Sequence, residues 1–267
     1  LPYSRQILIE EFGHDNSKET ILVEFRIFPH IEHLLRILIS KFPQDWCHTV
    51  VCGNLNYDIV TQICNSICEK ISSKIRIIKL DINNITQQEY SNLLLTKEFW
   101  NNFQGEKLLI YQEDTLVFHG RIFPFLEYDY IGAPWGENQD DNANGVGNGG
   151  FSLRSKSILL KCLDIIKPDQ LNLGTSTQSY MKSVGLSVVP EDVFFSKTML
   201  DFGIGKVATR DIAKCFSQES IKGTNPLGGH QFWLSQPSLL YQSKFKNCIV
   251  TTNYFMKCNH RSGWGAL

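Results

Sequence analysis

The feature that most constrains this chain is a change of hydrophobic period, repeated along its first half. Short β-branched runs alternate with stretches of period 3.6, the pattern of strands joined by crossover helices in a mostly parallel sheet. Residues 20–26 (TILVEFR) read as the first strand. Beyond Pro29, the residues Ile31, Leu34, Leu35, Leu38 and Ile39 recur at helical spacing and define one apolar helix face. Residues 48–52 read as a second strand closed by Gly53, 58–71 as a second helix, 75–80 as a third strand and 86–103 as helical. The apolar run 107–111 has the composition of a strand buried on both faces. The expected fold class is therefore α/β: a Rossmann-like, mostly parallel sheet flanked by helices. One domain is expected over residues 1–267, with 1–18 and 240–267 as peripheral segments. The chain opens on Leu1 rather than Met, which leaves room for an upstream segment.

Composition narrows the function. Lys and Arg number 26 against 27 Asp and Glu, a formal charge of -1, so the basic surface that holds a phosphate backbone is missing and no nucleic-acid partner is expected. The apolar runs, such as residues 37–39, fall far short of the roughly 20 residues of a bilayer span, and no membrane span is expected in this segment. Eight cysteines are scattered without a CxxC pair. Cys64 and Cys68 sit four apart beside Ile63 and Ile67, which reads as packed free thiols rather than zinc ligands. Free thiols suit a reducing compartment, and a cytoplasmic location is expected, in a host cell or virion if the chain is viral.

Four segments carry residues that do chemistry. The strand 107–111 runs into Gln112, Glu113, Asp114 and Thr115, at the strand edge where open α/β sheets bind ligands. A hard divalent cation needs only one or two such carboxylates plus substrate phosphates, yet an acidic turn is also an ordinary solvated strand end. Gly147, Gly149 and Gly150 flank Asn148 ahead of a second strand-like run, followed by a helix over 155–166. The glycines permit close approach of backbone to a ligand, or simply a bulge. Glu191 and Asp192 follow Pro190 at a helix start among apolar residues, where acids cap a helix or, if buried, take a proton from an acceptor hydroxyl. His230 follows Gly228 and Gly229, which would let it reach a diphosphate or a metal; a lone histidine is as readily structural. His30, His33 and His48 fall on helix or strand positions with no such context.

Taken in order, the segments YDYIGAPW (128–135), GNGGFSLR (147–154), LIYQEDT (109–115), PEDVFF (190–195) and LGGHQFW (227–233) resemble one family. It is the glycosyltransferase-like family of formerly unknown function found in giant DNA viruses, bacteria and fungi, itself similar to GT-A glycosyltransferases. The resemblance implies a sugar moved from a nucleotide-sugar donor to a glycan or protein acceptor. It implies Asp192 as catalytic base with Glu191 beside it, and Arg26, Asp114 and Thr115 as donor contacts. Gly149, Gly150 and Trp135 would stand on the acceptor side, and Asp114 with His230 would hold a divalent cation, Mn or Mg. The usual Asp-x-Asp is here Glu113-Asp114-Thr115, one acid short. Two other classes stay open: a nucleotide- or carbohydrate-binding module without turnover, and a metal-dependent phosphohydrolase.

Overall fold

The computed structural model describes residues 5–8, 17–28, 30–70, 75–136 and 145–235. Pro29, most of the Asn- and Gly-rich loop before Gly147, the tail 240–267, Cys248 and Cys258 lie outside the described residues.

The chain runs β1 (Arg5–Leu8), β2 (Lys18–Val23), α1 (Ile31–Lys41), β3 (Cys47–Cys52), α2 (Tyr57–Cys68) and β4 (Ile75–Lys79). Then follow α3 (Gln87–Leu94), α4 (Lys97–Trp100), β5 (Lys107–Tyr111), β6 (Thr115–Val117), β7 (Tyr130–Pro134), β8 (Val146–Ser155) and α5 (Lys156–Ile165). The last described elements are α6 (Thr175–Val184), α7 (Glu191–Asp201), α8 (Arg210–Phe216), β9 (Ser217–Gln218), β10 (Gly228–His230) and α9 (Phe232–Ser235). Seven strands form one sheet in the order β1-β4-β3-β2-β5-β8-β7, and β6-β10-β9 form a second, small one. In the large sheet β4, β3, β2 and β5 are parallel, whereas β1, β8 and β7 pair antiparallel.

The sheet is covered on both faces because its side chains alternate. Leu22, Val50, Leu109 and Tyr111 pack with α1, α2 and α8, while Ile21, Val23, Val51, Leu108 and Ile110 pack with α3, α4, α5 and α7. The α1 stripe Ile31, Leu34, Leu35, Leu38 and Ile39 is buried as its spacing predicts. The stretch expected as one helix over 86–103 is two. Thr86 and Glu89 form a capping box that starts α3; the chain then turns, and Thr96 accepts from the Phe99 amide to start α4. The turn lets Phe99 and Trp100 point inward. The strand Arg5–Leu8, which no apolar period announces, adds to the β4 edge.

Among the described cysteines, Cys52, Cys64, Cys162 and Cys215 are free thiols. Burial pushes the Cys52 thiol up to about 12, so it stays protonated and inert. No helix among the described residues is long and apolar enough to cross a membrane.

Candidate active site

The site begins where β5 stops. After Tyr111 the chain turns, closed by the Thr115 amide on the Gln112 carbonyl at 3.1 Å, and leaves as β6 in the small sheet. Because β10 pairs antiparallel with β6, His230 lies opposite Thr115, and a histidine 116 positions away in sequence returns to Asp114. Its Nε2 is 3.1 Å from Asp114 Oδ1 and 3.0 Å from Gln112 Oε1, while Nδ1 is 3.1 Å from Glu219 Oε1. Acceptors face both ring nitrogens, so the ring is a two-proton donor. Burial works against its charge, yet Asp114 and Glu219 hold its pKa well above the ordinary value. Burial likewise opposes ionisation of Asp114, but the imidazolium and hydrogen bonds from His230 and Gln231 keep that carboxyl far below the usual range.

Gln231 donates to Asp114 Oδ2 through its side chain, and its amide meets the Asp114 carbonyl at 3.2 Å. Its backbone sits at φ 46°, a left-handed conformation that costs a non-glycine residue of order 1–3 kcal/mol. Strain is thus held next to the acid, where backbone outliers collect at functional sites.

Glu113 turns away from Asp114. Burial, together with the charges of Asp114 and Glu24, pushes its carboxyl well above the ordinary range, and its Oε1 lies 3.2 Å from Arg26 Nη2. Arg26 is committed first to Glu24, with Nε and Nη2 at 2.9 and 2.8 Å from its two oxygens. It still lines the cleft, three residues beyond the end of β2. His30 carries more context than its sequence shows: it is buried with Nε2 3.1 Å from the Glu113 carbonyl, bracing the acidic turn.

Thr115, expected to touch the donor, does not reach the cleft. It is fully buried, and its hydroxyl donates to the Gly150 carbonyl at 3.1 Å while accepting from the Gln112 amide at 3.2 Å. It shapes the turn from behind, tying β5 to β8.

The second acid arrives on α7. This helix is buried around most of its circumference, Val193, Phe194, Phe195, Ser196, Thr198 and Met199 all being covered, so its N-terminus is fixed by packing. Glu191 reaches the cleft wall too, but its Oε1 is held 2.8 Å from Arg154 Nη2. Asp192 faces the cleft, with Oδ2 accepting from the Gly149 amide at 3.0 Å and Oδ1 from the Val193 amide at 2.8 Å. Burial and the neighbouring Glu191 raise the Asp192 carboxyl to about 7 against the opposing pull of Arg154.

Gly149 and Gly150 join the two acidic centres. A Cβ at Gly149 would lie 2.6 Å from Glu191 Oε1 and 3.1 Å from Asp192 Cβ; one at Gly150 would lie 2.4 Å from His230 Nε2. Consecutive residues of β8 therefore touch the base candidate on one side and the histidine on the other, and neither tolerates a side chain. Asp114, His230, Glu191, Asp192, Gly149, Gly150, Arg26 and Trp135 all line one cleft of about 600 Å³. Tyr90, Glu219, Gln231, Thr177 and Tyr180 line it too; sequence reading missed them, since none stands in a pattern that marks it.

Asp114 Oδ1, buried 3.1 Å from His230 Nε2, is a carboxylate oxygen of the kind that Mg²⁺ or Mn²⁺ binds. Among the described residues no group of three or more His, Cys, Asp or Glu is gathered for a metal ion.

A family profile described as "Protein of unknown function (DUF5672)" matches residues 74–230. No curated protein matches the chain in sequence. Among solved structures, the glycosyltransferase GlyE of Streptococcus pneumoniae TIGR4 in its apo form superposes with a TM-score of 0.46 at 10% identity. The superposition covers 91% of this chain and 64% of GlyE, so the chain spans less than two thirds of that protein's length. TarS 1-349 of S. aureus superposes with a TM-score of 0.49 at 14% identity, covering 92% of this chain and 74% of that one.

Proposed function

We propose that this chain, which belongs to the family described as Protein of unknown function (DUF5672), is a glycosyltransferase that moves a sugar from a nucleoside-diphosphate donor to a hydroxyl acceptor. One observation carries the reading: a carboxyl raised to about 7, aimed into the cleft by two backbone amides, shares that cleft with a strongly ionised Asp114 and a histidine. A base titrating near neutrality removes a hydroxyl proton at physiological pH, while a divalent cation held at Asp114 across the cleft would suit a departing diphosphate.

In this mechanism Asp192 takes the proton of the acceptor hydroxyl as its oxygen attacks the anomeric carbon. The bond from that carbon to the diphosphate oxygen breaks, the nucleoside diphosphate departs, and configuration at the carbon inverts. Asp114 and His230 would hold a divalent cation with diphosphate oxygens completing its shell, and His230 would give up its Nε2 proton to do so. When bound, the cation neutralises charge on the leaving group. Arg26 lies beside the acidic turn as a donor contact, and Trp135, with Gly149, borders the acceptor side.

Two substitutions separate the roles. Asp192→Asn should abolish transfer, measured as nucleoside diphosphate released from a nucleotide-sugar panel with Mn²⁺, and leave nucleotide affinity within about twofold. Asp114→Ala should weaken nucleotide binding instead. Retained turnover in Asp192→Asn removes the base; release of inorganic phosphate rather than nucleoside diphosphate makes the protein a phosphohydrolase.

A further inference from the structure

Arg154 is the largest charged side chain buried in the described protein, with no exposed surface. It projects from β8, five residues beyond the Gly149 amide that holds Asp192. Its guanidinium lies 5.0 Å from the Tyr130 ring centroid and 5.9 Å from those of Trp100 and Phe195. Nε donates to Ser152 Oγ at 3.0 Å, Nη2 donates to Glu191 Oε1 at 2.8 Å, and Nη1 is buried without a partner. A cation so deeply desolvated is an expensive way to fill a core, and apolar residues of similar volume commonly do as well or better. Its one ion-pair partner is the residue directly before the base candidate.

We propose that Arg154 is a positioning residue for the base: it holds the Glu191 carboxylate at the cleft wall against β8 and leaves Asp192 as the acid that exchanges protons with the cleft. The inference rests on the transferase reading for its purpose, but not for its test. Two adjacent carboxylates without a cation compete for one proton and titrate as a pair. Here the guanidinium separates them. Glu191 is turned back toward β8 and Asp192 forward onto the Gly149 and Val193 amides, with Gly149 too close to both acids to carry a side chain. The titratable groups around Arg154 are Glu191 and Asp192 from α7, Tyr130 from β7 and Tyr90 from α3. Burial raises both tyrosines, so they stay neutral, and Arg154 is the cation that acts on the acid pair.

The test reads the Asp192 carboxyl carbon by NMR in the full chain, labelled at Asp side chains and assigned with Asp192→Asn, with no substrate present. In Arg154→Met the resonance should begin to move at a higher pH, by about tenfold or more in proton affinity, because the cation beside the pair is gone. Arg154→Lys should return the onset toward that of the native chain. In Glu191→Gln the midpoint should fall by about tenfold or more, since a like charge is removed and the guanidinium remains. The Glu191 variant keeps the proposal testable if Arg154→Met does not fold. An Asp192 titration unmoved in Glu191→Gln, or in a folded Arg154→Met, overturns it and makes Arg154 a core ion pair only. If the titration shifts as stated but no sugar is transferred, the transferase reading fails while this one stands.

Discussion

At the scale of single residues, the proton of Asp192 is the control point of the proposed reaction. Its carboxyl is raised to about 7 by burial and by Glu191, so the basic form predominates only above that pH. Transfer at subsaturating substrate should fall about tenfold per pH unit below it. The same shift sets a stability trend. The folded chain prefers the protonated acid, a preference fully present below the unfolded value of about 3.9 and lost as pH rises through about 7. At pH 8, Asp192→Asn removes the half-buried charge, and melting temperature should rise by about 2–4 °C for each kcal/mol relieved. A variant that melts lower at pH 8 contradicts the trend. Gly150 permits a second prediction: the alanine methyl would meet His230 Nε2 at 2.4 Å, pushing the ring off Asp114. Displacing a binding group by about 1 Å costs about 100-fold, so Gly150→Ala should lower kcat/KM by that factor while far-ultraviolet circular dichroism stays native.

At the scale of elements, the parts of the fold that sequence period announces are those with one covered face. The α1 stripe was legible because each of its apolar residues meets the sheet and its outer face meets water. Leu35, fully buried in that stripe, should lose about 2–5 kcal/mol on truncation to alanine, read as a lower denaturant midpoint at unchanged slope. Loss below 1 kcal/mol would mean that α1 does not pack as described. α7 is the opposite case: covered on most sides, it shows no dominant apolar stripe, and only Pro190 and the two acids betray its start. The break between α3 and α4 was illegible because Leu95 and Phe99 on its two sides keep a helical spacing of four, and two threonine caps outweigh that period. β1 is a four-residue edge strand, too short for a period to emerge.

At the scale of the molecule, the parallel strands β2, β3 and β5 deliver loops to one sheet edge, and the small β6-β10-β9 sheet folds the late part of the chain back over it. A ligand there touches both halves of the sequence, so nucleotide binding should stabilise the whole fold. A nucleoside diphosphate at 100 times its Kd should add about 2.7 kcal/mol, seen as a rise in melting temperature that Asp114→Ala abolishes. An equal rise in that variant would place the nucleotide elsewhere.

The sequence by itself determined the α/β class, the central strand Lys107–Tyr111 and the segments that carry Asp114, Gly149, Gly150, Asp192 and His230, because period, glycine and proline act within a few residues of themselves. It also offered both Glu113 and Asp114 at the turn and both Glu191 and Asp192 at the helix, and spacing alone was no ground for choosing within either pair; only the family resemblance chose. Tertiary structure gives the members of each pair different partners. Arg26 faces Glu113 and Arg154 faces Glu191, leaving Asp114 to His230 and Asp192 to the cleft. Tertiary structure also withdrew Thr115 into the core. The reason is that a carboxyl's charge and direction depend on burial and on cations brought from 37 to 116 positions away, and no local pattern encodes those neighbours.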